Sequence, residues 1–209
     1  NHRYRPWFAR LARQAREGAF GKIHFAKFEH LNGSGPPPGF KTESEAGVLL
    51  EYGSHLVDMM RALLGEPRRV YARFARVNPS VSGESLAHLT YEYPEATAVV
   101  AAAWKNSGIT QGEVSIHGER REAVYEGTLT RGEEGRLRVS EGGRVIEDEA
   151  RSPYDDYVES FYLLEREATG AMLGREQVAQ TAGEHLRTVI ATFAAYESAR
   201  RGEPVDIGA

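Results

Sequence analysis

The sequence predicts an α+β domain built on an open, mainly antiparallel β-sheet with helices packed on one face. Helix-period segments towards both ends enclose a block of short strand candidates, the element order of an α+β layer structure. Those strands follow one another through short turn signals, so they pair as hairpins and a meander; parallel neighbours would need long crossovers. Ahead of that block, Gly47 to Pro67 carries apolar residues nearly all round at helical spacing, the composition of a helix packed on several sides.

At 209 residues the chain is long enough to bury a substantial core, and residues 1–209 read as one domain. Hydrophobic residues make up 41% and charged residues 27%, proportions that argue against disorder. The net charge is -4, and arginine clusters run no longer than Arg120-Arg121 and Arg200-Arg201, which argues against a nucleic-acid partner. The lack of cysteine excludes disulfides, thiolate metal sites and a cysteine nucleophile, and fits a cytoplasmic location. No apolar run approaches a membrane span and no signal segment opens the chain, so no membrane partner is expected. The chain begins at Asn1 and runs at once into a helix pattern, which predicts a fragment whose N-terminal part is missing.

Pro6 suits the first turn of a helix carrying Trp7, Phe8, Leu11, Ala12 and Ala15, stopped at Gly18. Lys22 to Leu31 reads as a strand with apolar residues on both faces. Asn32 to Gly39 is a loop. It contains a Gly-x-Gly pattern, but its three prolines remove the N–H groups a phosphate cradle needs, and no helix opens there. A plain surface loop and a lid both fit its position.

After Gly47 to Pro67, strands are expected at Arg69–Val77, Leu86–Tyr93, Ala96–Trp104, Gly112–His117, Glu122–Leu129, Leu137–Ser140 and Val145–Glu149. Turn signals separate them, among them Asn106-Ser107-Gly108 and Gly132 to Gly135. Ser152-Pro153 with Asp155 and Asp156 opens a helix whose apolar face is Tyr154, Tyr157, Val158, Phe161, Leu164 and Ala168, ending at Gly170. A last helix spans about Glu176 to Arg201 and caps at Gly202, with a short strand to follow in Pro204 to Ile207. The sheet face away from the helices is expected to carry Tyr91, Tyr93, His88, Val100 and Ala102, more apolar than a solvated face requires, which predicts a subunit interface.

The helix within Gly47 to Pro67 bears one polar line. Glu51, His55 and Asp58 fall at i, i+4 and i+7 and so share a face. Three ionisable groups on an otherwise buried helix are costly unless they are partnered or open onto a cavity. Two readings stand. Either the line is a functional site, with His55 titrating between two carboxylates that favour its charged form, or Glu51 and Asp58 make weak surface pairs with His55 and Arg61.

The run Gly47 to Gly65 resembles the pattern Gly-x-Leu-x-Asp/Glu-x-Gly-x-His-x-x-Asp of the C-terminal domain in the glucose-fructose oxidoreductase, inositol dehydrogenase and MocA superfamily. Asn1-His2-Arg3-Tyr4-Arg5-Pro6, Glu17 to Ile23 and Glu197 to Val205 are similar to three further motifs of that family, in the same order. The resemblance implies a fold like the C-terminal domain of glyceraldehyde-3-phosphate dehydrogenase. It also implies the substrate-binding and oligomerisation half of an NAD- or NADP-dependent dehydrogenase acting on a sugar, polyol or related hydroxy compound. Under that resemblance His55 is the acid/base, Glu51 the catalytic carboxylate one turn before it and Asp58 a supporting aspartate. Arg3 and Tyr4 line the substrate pocket, and no metal is involved. The cofactor is bound mainly by an N-terminal Rossmann domain absent from this chain, so the chain alone is expected to be inactive. The partner expected besides a small-molecule substrate is a second copy of the chain, as a homodimer or homotetramer through the open sheet face.

Two alternatives belong to other classes. One is a non-catalytic binding, dimerisation or regulatory module on the same fold. The other is a metal-dependent hydrolase ligated by Glu51, His55 and Asp58, disfavoured because His2, His24, His30, His88, His117 and His185 are scattered without ligand spacing.

Overall fold

The computed structural model describes residues 1–36, 39–105, 108–129, 134–175 and 177–208. Pro37-Pro38 in the proline loop, the expected turns at Asn106-Ser107 and Gly132, and the expected helix start at Glu176 lie outside the described residues.

A 3-10 turn at His2–Tyr4 leads into α1 (Pro6–Arg16) and β1 (Ile23–Asn32). A four-residue helix α2 (Phe40–Glu43) precedes a π turn at Leu49–Gly53, which runs directly into α3 (Ser54–Leu64). Then come β2 (Arg69–Ala75), β3 (Leu86–Glu92), β4 (Thr97–Trp104), β5 (Gln111–Gly118), β6 (Arg121–Glu126), β7 (Gly135–Glu141) and β8 (Arg144–Arg151). The chain closes with α4 (Pro153–Met172), α5 (Ala182–Arg201) and β9 (Val205–Asp206).

Among the described residues the strands form one nine-stranded sheet in the order β8-β7-β6-β5-β1-β4-β3-β2-β9. Every pairing is antiparallel except that of β1 with β4, which is parallel. The fold class is thus the open, mainly antiparallel α+β sheet expected, with β1 inserted between the two meanders. Helices lie on one face: α5 against β2, α3 against β1 and β4, and α1 beside α3. Trp7 of α1 stacks flat on Tyr125 of β6 at 4.3 Å, and Phe8 meets Phe28 of β1 edge-on at 6.3 Å.

Three expectations are corrected. Tyr91, Val100 and Ala102 do not face outwards; they are fully buried under the helices, and Tyr93 packs against the same core. The register sets this, since Leu89 opposes Val100, Tyr91 opposes Ala98 and Ala87 opposes Ala102, and alternation sends His88 and Thr90 to the other side. Secondly, the apolar stripe of α4 is only half covered: Tyr157, Leu164 and Ala168 are partly buried. Tyr154, Val158 and Phe161 are exposed, whereas Asp156 and Ser160 are buried, because α4 lies in an outer layer on α1 and the 3-10 turn and docks by polar contacts. Ser160 accepts a hydrogen bond from Asn1, and Asp156 is paired with Arg151. Thirdly, α5 starts at Ala182 rather than Glu176: the Thr181 hydroxyl accepts from the Glu184 N–H at 3.2 Å, a cap that fixes the first turn.

The helix carrying the polar line is not one regular α-helix. Its opening turn is π, and it is placed by close backbone contacts. A Cβ on Gly47 would run into the Glu84 carbonyl, and one on Gly53 would meet Leu49 at 2.8 Å and Ala102 of β4 at 3.5 Å. The N-terminus is closed from the β2–β3 loop. The Glu84 carboxylate accepts from the N–H groups of Gly47 (3.0 Å) and Leu49 (3.1 Å), and the Glu84 carbonyl accepts from Val48. Tyr196 of α5 donates to the same carboxylate at 2.7 Å. A negative group here satisfies orphan donors and complements the helix dipole.

Candidate active site

His55 is the second residue of α3, two past the end of the π turn, half-buried, between two hollows. One, of about 500 Å³, is walled by Glu51, Ser54, Asp58, Gln180 and His185 with Asn1. The other, of about 420 Å³, has an aromatic wall of Tyr52, Trp104, Tyr157 and Phe161, with His2 and His30 among its polar groups. A hollow of about 580 Å³ on the outer sheet face is edged by Glu29, Glu113, Glu126 and Glu134 and has neither a histidine nor an aromatic wall.

The two carboxylates of the polar line are already engaged. Asp58 takes both ends of the Arg3 guanidinium, at 2.6 Å to Oδ2 and 2.5 Å to Oδ1, together with the Thr188 hydroxyl (3.0 Å) and the Gln180 amide (3.3 Å). Glu51 forms an ion pair with Lys41 of α2, which lines the aromatic hollow. Asp58 and Glu51 do favour charged His55, as expected, but burial outweighs them and depresses its pKa below the usual histidine value. The direction of this shift favours the neutral imidazole, which can accept a proton.

Arg3 and Tyr4, expected beside the substrate, are directed elsewhere. Arg3 holds Asp58, and the Tyr4 hydroxyl donates to Glu167 of α4 at 2.8 Å. Neither is among the residues walling the two hollows around His55.

Histidines scattered in the sequence converge here. The His2 ring centroid lies 5.0 Å from that of His55 and 5.7 Å from that of Tyr52, and His30 stacks on Tyr52 at 4.3 Å. His2 and His30 are 4% and 3% exposed, and burial pushes both pKa values down, that of His30 to about 4. Burial also pushes the Tyr52 hydroxyl up. A signal for His30 was available: with Ala26 and Phe28 it falls on the core-facing side of β1 at period two. His2 has no such marker, since its burial depends on α4 covering the 3-10 turn. Among the described residues no group of three His, Asp or Glu side chains converges to hold a metal ion.

A dinucleotide needs an open N–H cradle for its pyrophosphate. Of the four longer helices, α3 is preceded by a π turn whose opening is closed by Glu84, α4 opens with Asp155 and Asp156, α5 opens with Glu184, and α1 opens on buried Trp7 and Phe8. None of these four helix starts offers such a cradle.

The fold is an open nine-stranded sheet with helices on one face, and α3, which carries His55, packs on its central strands β1 and β4. The chain belongs to the GFO/IDH/MocA C-terminal domain family, which its residues 8–124 match. It is 26% identical over 211 residues to a D-apiose dehydrogenase of Rhizobium rhizogenes, covering 92% of this chain and 58% of that protein. To a D-apiose dehydrogenase of Paraburkholderia graminis it is 24% identical over 224 residues, covering 99% and 58%. The chain thus spans less than two thirds of these curated relatives. Among solved structures, an oxidoreductase from Agrobacterium radiobacter in complex with NAD+, L-tartaric acid and magnesium superposes with a TM-score of 0.82 at 23% identity, covering 99% of this chain and 63% of that one. A levoglucosan dehydrogenase in complex with NADH and L-sorbose gives a TM-score of 0.82 at 19% identity, covering 100% and 64%. These likenesses show the fold. No helix among the described residues is long and apolar enough to cross a membrane.

Proposed function

We propose that this chain is the C-terminal, substrate-binding part of an NAD- or NADP-dependent oxidoreductase that oxidises a sugar, polyol or related hydroxy compound. The carrying observation is His55: neutral, half-buried, and shared by two hollows, one of them walled by aromatic rings. Oxidation of a hydroxyl to a carbonyl requires removal of its proton by a nearby base as hydride leaves the carbon. A neutral imidazole in a cavity meets the first need. Aromatic walls suit the C–H faces of a sugar, and the polar groups between them suit its hydroxyls. Glu51 is assigned a catalytic part through its side of the cavity, Asp58 a supporting one through Arg3, and Tyr4 a structural one. The hydride acceptor is assigned to an N-terminal Rossmann domain outside these residues, and the chain alone is read as inactive.

The outer sheet face is assigned to contacts between copies, in a homodimer or homotetramer. Tyr71, Thr90 and Val99 lie on that side, half-buried and in register across β2, β3 and β4 with Lys27 of β1.

The test is nicotinamide reduction by the full-length protein over a panel of sugars, polyols and their acids, with wild type beside His55→Ala. Turnover abolished in a folded variant supports the acid/base role. A His55→Ala protein that retains wild-type turnover removes it, and a wild type that binds cofactor but oxidises nothing in the panel favours the regulatory alternative.

A further inference from the structure

Directly behind His55 lies a buried pair that the proposed reaction does not use. His2 is held in the 3-10 turn with its Nδ1 accepting from Arg5 Nε at 3.3 Å. Arg5 is fully buried; its guanidinium also donates to the Leu129 carbonyl and lies 5.7 Å from the centre of the Tyr157 ring. Because arginine keeps its charge in proteins, the acceptor lone pair on His2 Nδ1 is fixed in place. The single ring proton of a neutral His2 then sits on Nε2, so one tautomer is selected. That ring is tilted 50° to the ring of His55 with the centroids 5.0 Å apart, an ordinary spacing for packed aromatic rings.

We propose that His2, fixed by Arg5, is a positioning residue for His55: an uncharged imidazole of one tautomer that sets the orientation of the His55 ring between the two hollows. This rests on the reading of His55 as the acid/base. A second neutral ring is the fitting neighbour, because a titrating one would set two cations 5 Å apart and disfavour proton uptake by His55. The other charged or titratable groups around His55 are Glu51 and Tyr52 from the π turn, Asp58 from α3, His185 from α5, and Lys41 and His30 across the aromatic hollow. The carboxylates and Lys41 are paired, which leaves the Arg5-held His2 as the ring in packed contact with His55 that is itself anchored by a permanent charge.

The test is nitrogen-15 histidine NMR of the 209-residue chain from pH 8 to 5. His2 is expected to show only the Nε2-protonated tautomer and no titration in that range. His2→Asn retains an acceptor, Oδ1, for Arg5; His2→Phe retains the ring and loses the acceptor. His55 ring signals are expected to stay near their wild-type positions in His2→Phe, which keeps a ring packed against His55, and to move in His2→Asn, which removes it. In the full-length protein kcat is expected to fall about tenfold in His2→Asn with KM within twofold, the mark of a misoriented base, and to recover largely in His2→Phe. A His2 that titrates in the ordinary histidine range, or a His2→Asn chain whose His55 signals match wild type, overturns the proposal. The wild-type titration decides even if His2→Asn does not fold. The NMR result is independent of turnover, so loss of the acid/base reading through His55→Ala and loss of the His2 proposal are separate outcomes.

Discussion

Arg3 and Asp58, 55 positions apart, meet through both edges of a guanidinium, with Nε on Oδ2 and Nη2 on Oδ1. The side chains are 13% and 10% exposed, so the bond is largely shielded, and Thr188 and Gln180 complete the shell of the carboxylate. This contact ties the N-terminal turn to the helix that carries His55, and through Thr188 to α5.

Arg3→Ala leaves a shielded carboxylate without its main partner and is expected to cost about 3 kcal/mol, the usual scale for breaking a buried pair from one side. Urea unfolding measures this. With the guanidinium gone, the Asp58 charge acts on His55 unopposed, so the His55 titration midpoint moves upward. A midpoint that stays in place would mean that Asp58 and His55 are electrostatically independent.

Stability is expected to fall between pH 7.5 and 5. A histidine whose folded pKa lies below its unfolded value takes up its proton first in the unfolded chain, so stability is complete above about 6.5 and declines as pH falls from there towards the folded value. His2, His30 and His55 are all depressed, His30 to about 4. His30 alone then accounts for about 2 kcal/mol by pH 5. Unfolding free energies at the two pH values, in wild type and His30→Phe, test it; the variant has the shallower slope.

Gly47→Ala places a methyl against the Glu84 carbonyl and forces the opening turn of the helix away from the β2–β3 loop. A loss of about 1–3 kcal/mol is expected, on the scale of overpacking. Glu84→Gln, which keeps the shape and removes the charge, is expected to lose about 1 kcal/mol. If Gly47→Ala melted with wild type, the close approach at this turn would not govern the placement of the helix.

Lys41 and Glu51 are each about one-third exposed, so their ion pair contributes roughly 0–1 kcal/mol to stability. Lys41→Met is therefore expected to melt close to wild type. Because both residues line the aromatic hollow, the same variant is expected to change KM for the substrate of the full-length protein. Unchanged KM alongside unchanged melting would take Lys41 out of the site.

The local pattern made most of the elements legible. Residues at period two and period 3.6 gave nearly every strand and all the longer helices, and four motifs in order, the one around His55 among them, carried the resemblance to the family. Contacts between distant segments were beyond it. Nothing in Ile23–Asn32 says that its neighbours are β4 and β5, and the faces of β3 and β4 depend on that pairing. The π turn depends on Gly47 and Gly53 fitting against Glu84 and Ala102. His2 and Arg5 look like a basic terminus until α4 covers them, and Glu84 looks like an ordinary loop glutamate until the helix end is seen above it. At the centre of the site, pattern supplied the histidine and tertiary packing supplied its surroundings.

The place of β1 between β4 and β5 has a kinetic consequence. Two runs of neighbouring strands, β2 to β4 and β5 to β8, can zip from local turns, but they join into one sheet only across a strand made long before either. During synthesis β1 must wait unpaired until Trp104 has left the ribosome for its parallel partner, and until Gly118 for its antiparallel one. Such long-range closure is slow. A burst of hairpin formation followed by one late, concerted step is the expected refolding record, with substitutions at Ala26 and Phe28 slowing the late step alone.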